Sequence, residues 1–213
     1  MSTPQLGAER IYTVSPQLVG DDEPYLEKWV NEARGARVPG PYPIPAPDRM
    51  QVGSGFPRDM PTPILEFDRN ADGMPLYESY RFRASYWCVS EALKVTLFAF
   101  DPTGFDAVKA ETRFPDGSPG PSCWLIELVR FSDCLDRERS IAAGARMSEP
   151  KGVVNFGIAS PDGHFFRSEQ LGGAPFFRLP SNSLTCLCTE RAKQALERAG
   201  HMNFHFFAIG WLT

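Results

Sequence analysis

Between Cys123 and Ser140 the chain reads CWLIELVRFSDCLDRERS, and this run constrains the fold more than any other. Its first nine residues are almost continuously apolar. As a strand they place Cys123, Leu125, Glu127, Val129 and Phe131 on one face and Trp124, Ile126, Leu128 and Arg130 on the other. A strand apolar on both faces must be covered on both. It then runs into Asp133, Asp136, Arg137, Glu138, Arg139 and Ser140, where five charges of mixed sign fall within seven residues. That is the densest polar signal in the protein, and it sits where a buried element ends.

A chain of 213 residues forms one large domain or two small ones, and about 70% of the unfolded surface is buried at that size. An apolar fraction of 42%, with 16 Phe, 6 Tyr and 4 Trp, separates it from the disordered class. The net charge of -4 argues against a nucleic-acid binder, because phosphate contacts need a surplus of Lys and Arg. The five cysteines, at 88, 123, 134, 186 and 188, are odd in number and form no C-x-x-C pair, so reduced, buried thiols are expected. No window approaches 18 uncharged apolar residues, and MSTPQLGAER lacks a basic flank before an apolar stretch. Neither a membrane partner nor export is expected, and the cytoplasm is the default.

In chain order, residues 9 to 15 alternate as a short strand. Asp21 or Asp22 caps an amphipathic helix through Tyr25, Leu26, Trp29, Val30 and Ala33, ended by Gly35. From Pro39 to Pro63 eight of 25 residues are proline, which forbids regular helix and predicts an extended strap across the domain surface. Short strands follow at 64–67 and near 76–82. Ser85–Val89 reads as a strand, Ser90 caps a helix over EALKVTLFAF, and 105–112 is the next strand. Beyond the charged run, strands are expected at 153–158, 164–167, 175–179, 184–188 and 203–209. A helix capped by Thr189 closes at Gly200.

Residues 86–92 and 185–191 share a plan of apolar strand, hydroxyl cap, Glu in the first turn, helix, turn and strand. This describes two strand-helix-strand units flanking the Cys123 strand, with Glu91 and Glu190 at helix starts where the dipole favours an anion. The expected class is therefore α+β: a mixed sheet, two or three helices on its faces, and a Pro-rich strap. Residues 1–79 carry the N-terminal helix and strap; residues 80–213 carry the α+β domain. Whether these are one domain is left open.

Segments W-C-V-S-E-A-L, L-I-E-L-V-R-F-S-D-C-L-D-R-E-R-S, F-F-R-L-P and C-T-E-R-A-K-Q-A-L-E-R-A-G, with a final F-H-F-F, resemble a bacterial family once catalogued as a domain of unknown function. That family is now grouped as immunity family eleven of polymorphic toxin systems. The resemblance covers residues 80 to 209, and Leu135 to Ser140 is its most specific piece. It implies a protein that binds and blocks a cognate toxin domain delivered by contact-dependent or type VI secretion, and that needs no catalytic group or cofactor. A cytoplasmic immunity protein implies a toxin acting there, such as a nuclease, whose basic groove suits a mildly acidic partner. Asp133, Asp136, Arg137, Glu138, Arg139, Ser140 and Arg178 are the family-motif and candidate partner-binding residues.

The residues also admit an enzyme with its site at 133–140, or a structural component of a secretion locus. Asp136 and Glu138 suggest an acid and base, yet adjacent Arg137 and Arg139 hold both ionised and work against raising either pKa. A polar network tying the central strand to the next segment is the plainer reading. His164, His201 and His205 are scattered, with none at zinc spacing to a cysteine, so no metal is expected.

Overall fold

Hydroxyl caps and apolar periodicity place the secondary structure over most of the chain. The computed structural model describes residues 8–16, 26–31, 53–67, 79–82, 86–145, 147–148, 155–156 and 163–213. In order the elements are β1 (Glu9–Pro16), β2 (Leu26–Trp29), β3 (Ile64–Phe67), β4 (Ser79–Phe82), β5 (Tyr86–Val89), α1 (Glu91–Phe100), β6 (Phe105–Arg113) and β7 (Cys123–Leu128). There follow α2 (Arg137–Ala142), β8 (Met147–Ser148), β9 (Asn155–Phe156), β10 (His164–Phe166), α3 (Ser168–Leu171), β11 (Phe176–Leu179), β12 (Asn182–Thr189), α4 (Glu190–Arg198) and β13 (Phe204–Leu212).

The protein is α+β, with two large mixed sheets where the sequence suggests one. Six strands run in the order β2-β3-β6-β7-β5-β4 and five in the order β10-β13-β1-β12-β11, with β8-β9 a separate pair. The repeated unit is real in geometry, and its placement corrects the expectation. Strand β7 lies between β5 and β6, antiparallel to both, so the first strand-helix-strand unit brackets the Cys123 strand. The second unit instead brackets β1, which is antiparallel to both β12 and β13. The parallel extends to side chains. Ser90 and Thr189 each cap their helix by accepting an amide hydrogen bond from three residues on, worth about 1 kcal/mol apiece. Glu91 then accepts a hydrogen bond from Trp124 on β7, and Glu190 accepts one from Tyr12 on β1. Lys94 and Lys193 lie over those same two rings.

Strand β7 is covered on both faces, as its composition requires. Cys123 and Leu125 join Leu65, Phe67, Tyr86 and Cys88 on one side. On the other, Ile126 and Leu128 meet Leu93 and Leu97 of α1, Ala192 and Leu196 of α4, and Phe176, Cys188 and Phe204 of the second sheet. This shared core holds the two sheets together.

Two local expectations change. The helix expected over 21–35 is not formed where it is described: Leu26–Trp29 is a strand paired antiparallel to β3, and Val30 and Asn31 form a turn. Pairing beside Leu65 and Phe67, both fully buried, outweighs a local helical pattern. Two short helices, α2 and α3, bring the number among the described residues to four. The strand expected over 153–158 is described only at Asn155–Phe156. Residues 39–52 of the expected strap lie outside the described residues; residues 53–63 carry no helix or strand.

Candidate functional site

The charged run begins where β7 stops. The Val129 amide donates to the Gly104 carbonyl (2.8 Å), which ends the strand at Leu128 instead of the expected Phe131. The chain then leaves the six-stranded sheet for the five-stranded one. The Arg178 amide donates to the Arg130 carbonyl and the Ser132 amide to the Arg178 carbonyl, both at 2.9 Å, which makes a parallel bridge to β11. Four residues on, Leu135 bridges to Phe166 of β10, with the Asp136 amide on the Phe165 carbonyl (2.8 Å) and the Arg167 amide on the Cys134 carbonyl (2.7 Å). Since β11 and β10 are the two edges of the five-stranded sheet, a connector reaching at most about 14 Å joins them. The sheet therefore curls into a barrel-like shell around Ile11, Phe166, Phe177, Leu187 and Ile209. A cavity of ≈ 10 Å³ beside His164, Asn182 and Thr185 has room for no more than about one water.

Beyond the connector, Asp136 caps α2 by accepting a hydrogen bond from the Arg139 amide (3.1 Å). That amide, then the Arg167 guanidinium 3.6 Å away, hold the Asp136 carboxyl below its ordinary value. A general acid at neutral pH needs the opposite shift. The ion partner of Asp136 is thus Arg167, remote in sequence, and not Arg137, which pairs with Asp133 at 3.6 Å between exposed side chains. Such a pair contributes about 0–1 kcal/mol. The Ser140 hydroxyl is buried and accepts the Phe165 amide hydrogen bond (3.0 Å). Arg139 lays its guanidinium over the Phe165 ring, 4.1 Å from the centroid. Glu138 is exposed, and among the described residues it makes no ion pair or side-chain hydrogen bond. The surface of α2 and of the segment leading into it thus presents Asp133, Arg137, Glu138 and Ile141, the last 52% exposed.

Arg178 stands apart from this surface. It is fully buried, its Nε donating to the Leu128 carbonyl (2.9 Å) and its Nη1 to the Ser183 carbonyl. Arg130 makes the reverse crossing, from the end of β7 to the Phe176 carbonyl (3.3 Å), while forming an ion pair with buried Asp101. Each sheet sends one arginine to the other's backbone.

Two carboxylates that hold the backbone of residues 53–56 were not singled out from the sequence. Glu127 of β7 is fully buried and faces Asp106 across the β6–β7 ladder. Its two oxygens accept the amides of Gly53 (2.8 Å) and Gly55 (3.1 Å), and Asp106 accepts the Phe56 amide (2.6 Å). The two glycines have φ of 82° and 77°, and a Cβ on Gly53 would sit 2.1 Å from the Phe131 ring. An acidic residue inside an apolar strand, with a G-x-G upstream, was the available signal; nothing in the spacing joined the two. Cys134 is buried, which pushes its thiol up to about 11 and leaves it a poor nucleophile at neutral pH. Among the described residues, no three His, Cys, Asp or Glu side chains are placed to hold a metal ion. No described helix is long and apolar enough to cross a membrane.

The geometry describes an α+β scaffold whose charged run is a capped surface helix locked to a closed sheet. The Immunity protein family (Imm11) model matches residues 10–210, and the chain belongs to that family. The match reaches well beyond the 80–209 of the sequence resemblance and includes β1. No curated protein matches the chain. Family membership supports a toxin-neutralising immunity role, exercised by binding a cognate toxin protein.

Proposed function

We propose that this protein neutralises its toxin by occupying the toxin's surface, without making or breaking covalent bonds. The family match over residues 10–210 carries this reading. The site chemistry supports it: Asp136 is committed to a helix cap and held ionised, and the cysteine nearest the charges is buried with a raised pKa. The toxin is a nuclease acting in the cytoplasm and delivered by contact-dependent or type VI secretion. The net charge of -4 favours encounter with a protein that must itself attract nucleic acid. Asp133, Arg137, Glu138 and Arg139 on the α2 surface are the contact residues we assign first, with Asp136 and Ser140 holding that helix in place and Arg178 acting inside the core.

Co-expression with the toxin domain encoded beside this gene tests the reading. Growth rescue and a stoichiometric complex burying more than about 1,000 Å² are expected. If the toxin kills undiminished in the presence of folded protein, the reading fails.

A further inference from the structure

Strands β10, β13 and β1 lie side by side. Their register sets Arg10 beside Trp211 and Trp211 beside Phe165, so these side chains stand in one row on one face of the sheet. Arg10 lays its guanidinium over the Trp211 ring, 3.8 Å from the centroid. At the other end, Arg139 of α2 covers Phe165 at 4.1 Å. The row reads cation, aromatic, aromatic, cation, assembled from residues 10, 211, 165 and 139. Phe165 is buried beneath it, while Arg10, Trp211 and Arg139 are half-buried and reach solvent.

A guanidinium held over a ring keeps its charge and its planar N–H fork. That fork matches a carboxylate. Among the described residues, no carboxylate lies within ion-pair distance of the Arg139 guanidinium: its neighbour Asp136 takes the Arg139 backbone amide and Arg167 instead. Arginine and tryptophan are also the side chains that dominate binding energy at protein interfaces. The two outer strands of the row are about 10 Å apart, the reach of three extended residues. An acidic strand or loop of a protein therefore fits the row, and the chain's overall negative charge disfavours a nucleic acid there.

We infer that the Arg10–Trp211–Phe165–Arg139 row is the docking surface for a carboxylate-bearing strand or loop of the cognate toxin. This rests on the toxin-binding reading above and names both the face and the partner chemistry. The overall charge governs long-range encounter; the row acts at contact and has the opposite sign.

The test titrates the purified full chain with the catalytically disabled toxin domain encoded beside its gene. Arg10→Glu and Arg139→Glu are each expected to weaken binding at least about 30-fold, the size of an interface hot spot. Lys109→Glu, exposed on the six-stranded sheet, is expected to bind within about threefold of the unchanged protein, as is usual for surface positions outside an interface. A carboxylate-to-lysine exchange in the toxin that restores binding to Arg139→Glu identifies the partner group. If a charge reversal lowers the melting temperature, Arg139→Lys and Arg139→Gln decide: both bind more weakly if the fork matters, because lysine keeps the charge without the fork. Binding unchanged in folded Arg10 and Arg139 variants overturns the row and leaves the toxin-binding reading standing. Failure of the unchanged protein to bind or rescue overturns both.

Discussion

Replacing Arg178 with methionine tests whether the two sheets are held by the crossed arginines or by apolar packing alone. Methionine nearly matches the arginine stem in volume, so the cavity contribution is small. What is lost is a charged donor set. The Leu128 and Ser183 carbonyls, in residues 2% and 6% exposed, forfeit their Arg178 hydrogen bonds in a place water does not reach. Leaving a buried acceptor unpaired costs about 1–3 kcal/mol, so the two together cost about 2–6 kcal/mol. Relief of the buried charge offsets part of this, since removing one partner of a buried polar set is destabilising whereas replacing all of it need not be. A net loss of about 2–4 kcal/mol is a large share of a typical 5–15 kcal/mol stability. In urea, with a slope of about 1–3 kcal/mol/M, the midpoint is expected to fall by about 1–2 M with the slope unchanged. Arg178→Lys should recover little, because one ammonium does not reproduce the fork. A midpoint for Arg178→Met within about 0.3 M of the parent would refute the reasoning, as that is below the cost of even one orphaned carbonyl.

Three further outcomes follow from the same contacts. Asp136→Ala removes the α2 cap and is expected to cost about 1 kcal/mol, lowering the melting temperature by about 2–4 °C, while Asp136→Asn, an equal cap, stays close to the parent. Burial lowers the pKa of His164, so below its unfolded value of about 6.5 the unfolded chain takes up a proton that the folded chain resists. Stability should therefore fall as pH drops through about 6.5 and level off below the lowered folded value, and denaturation of His164→Gln across that range should show a shallower dependence. Glu127→Gln keeps one carbonyl oxygen where two carboxylate oxygens now accept from Gly53 and Gly55; faster hydrogen exchange at one or both of those amides is expected, and unchanged protection at both would show that residues 53–60 are held by Phe56 and Met60 alone.

The elements legible in the chain were those specified by neighbours a few residues apart. Ser90 and Thr189 mark helix starts because each hydroxyl meets an amide three residues later, and both helices begin where expected. The two-sided apolar run at Cys123 announces a strand covered on both faces because nothing else buries both rows of side chains. The segment at 26–29 misled for the complementary reason: its apolar spacing suits a helix, and its strand state comes from β3, some forty residues away. The cap at Asp136 was hidden by charge, since in a run dense with arginine and glutamate ion pairing looked more prominent than a single amide.

Family membership and the strand-helix-strand repeat are carried by local order along the chain, so residue types and spacing suffice to reveal them. The bracketing of β1 by β12 and β13, the closure of five strands by residues 130–136, and the Arg10–Trp211–Phe165–Arg139 row depend on which strands become neighbours. Pairing of that kind is chosen by the free energy of the whole packed assembly, and segments separated by some two hundred residues carry no local mark of it.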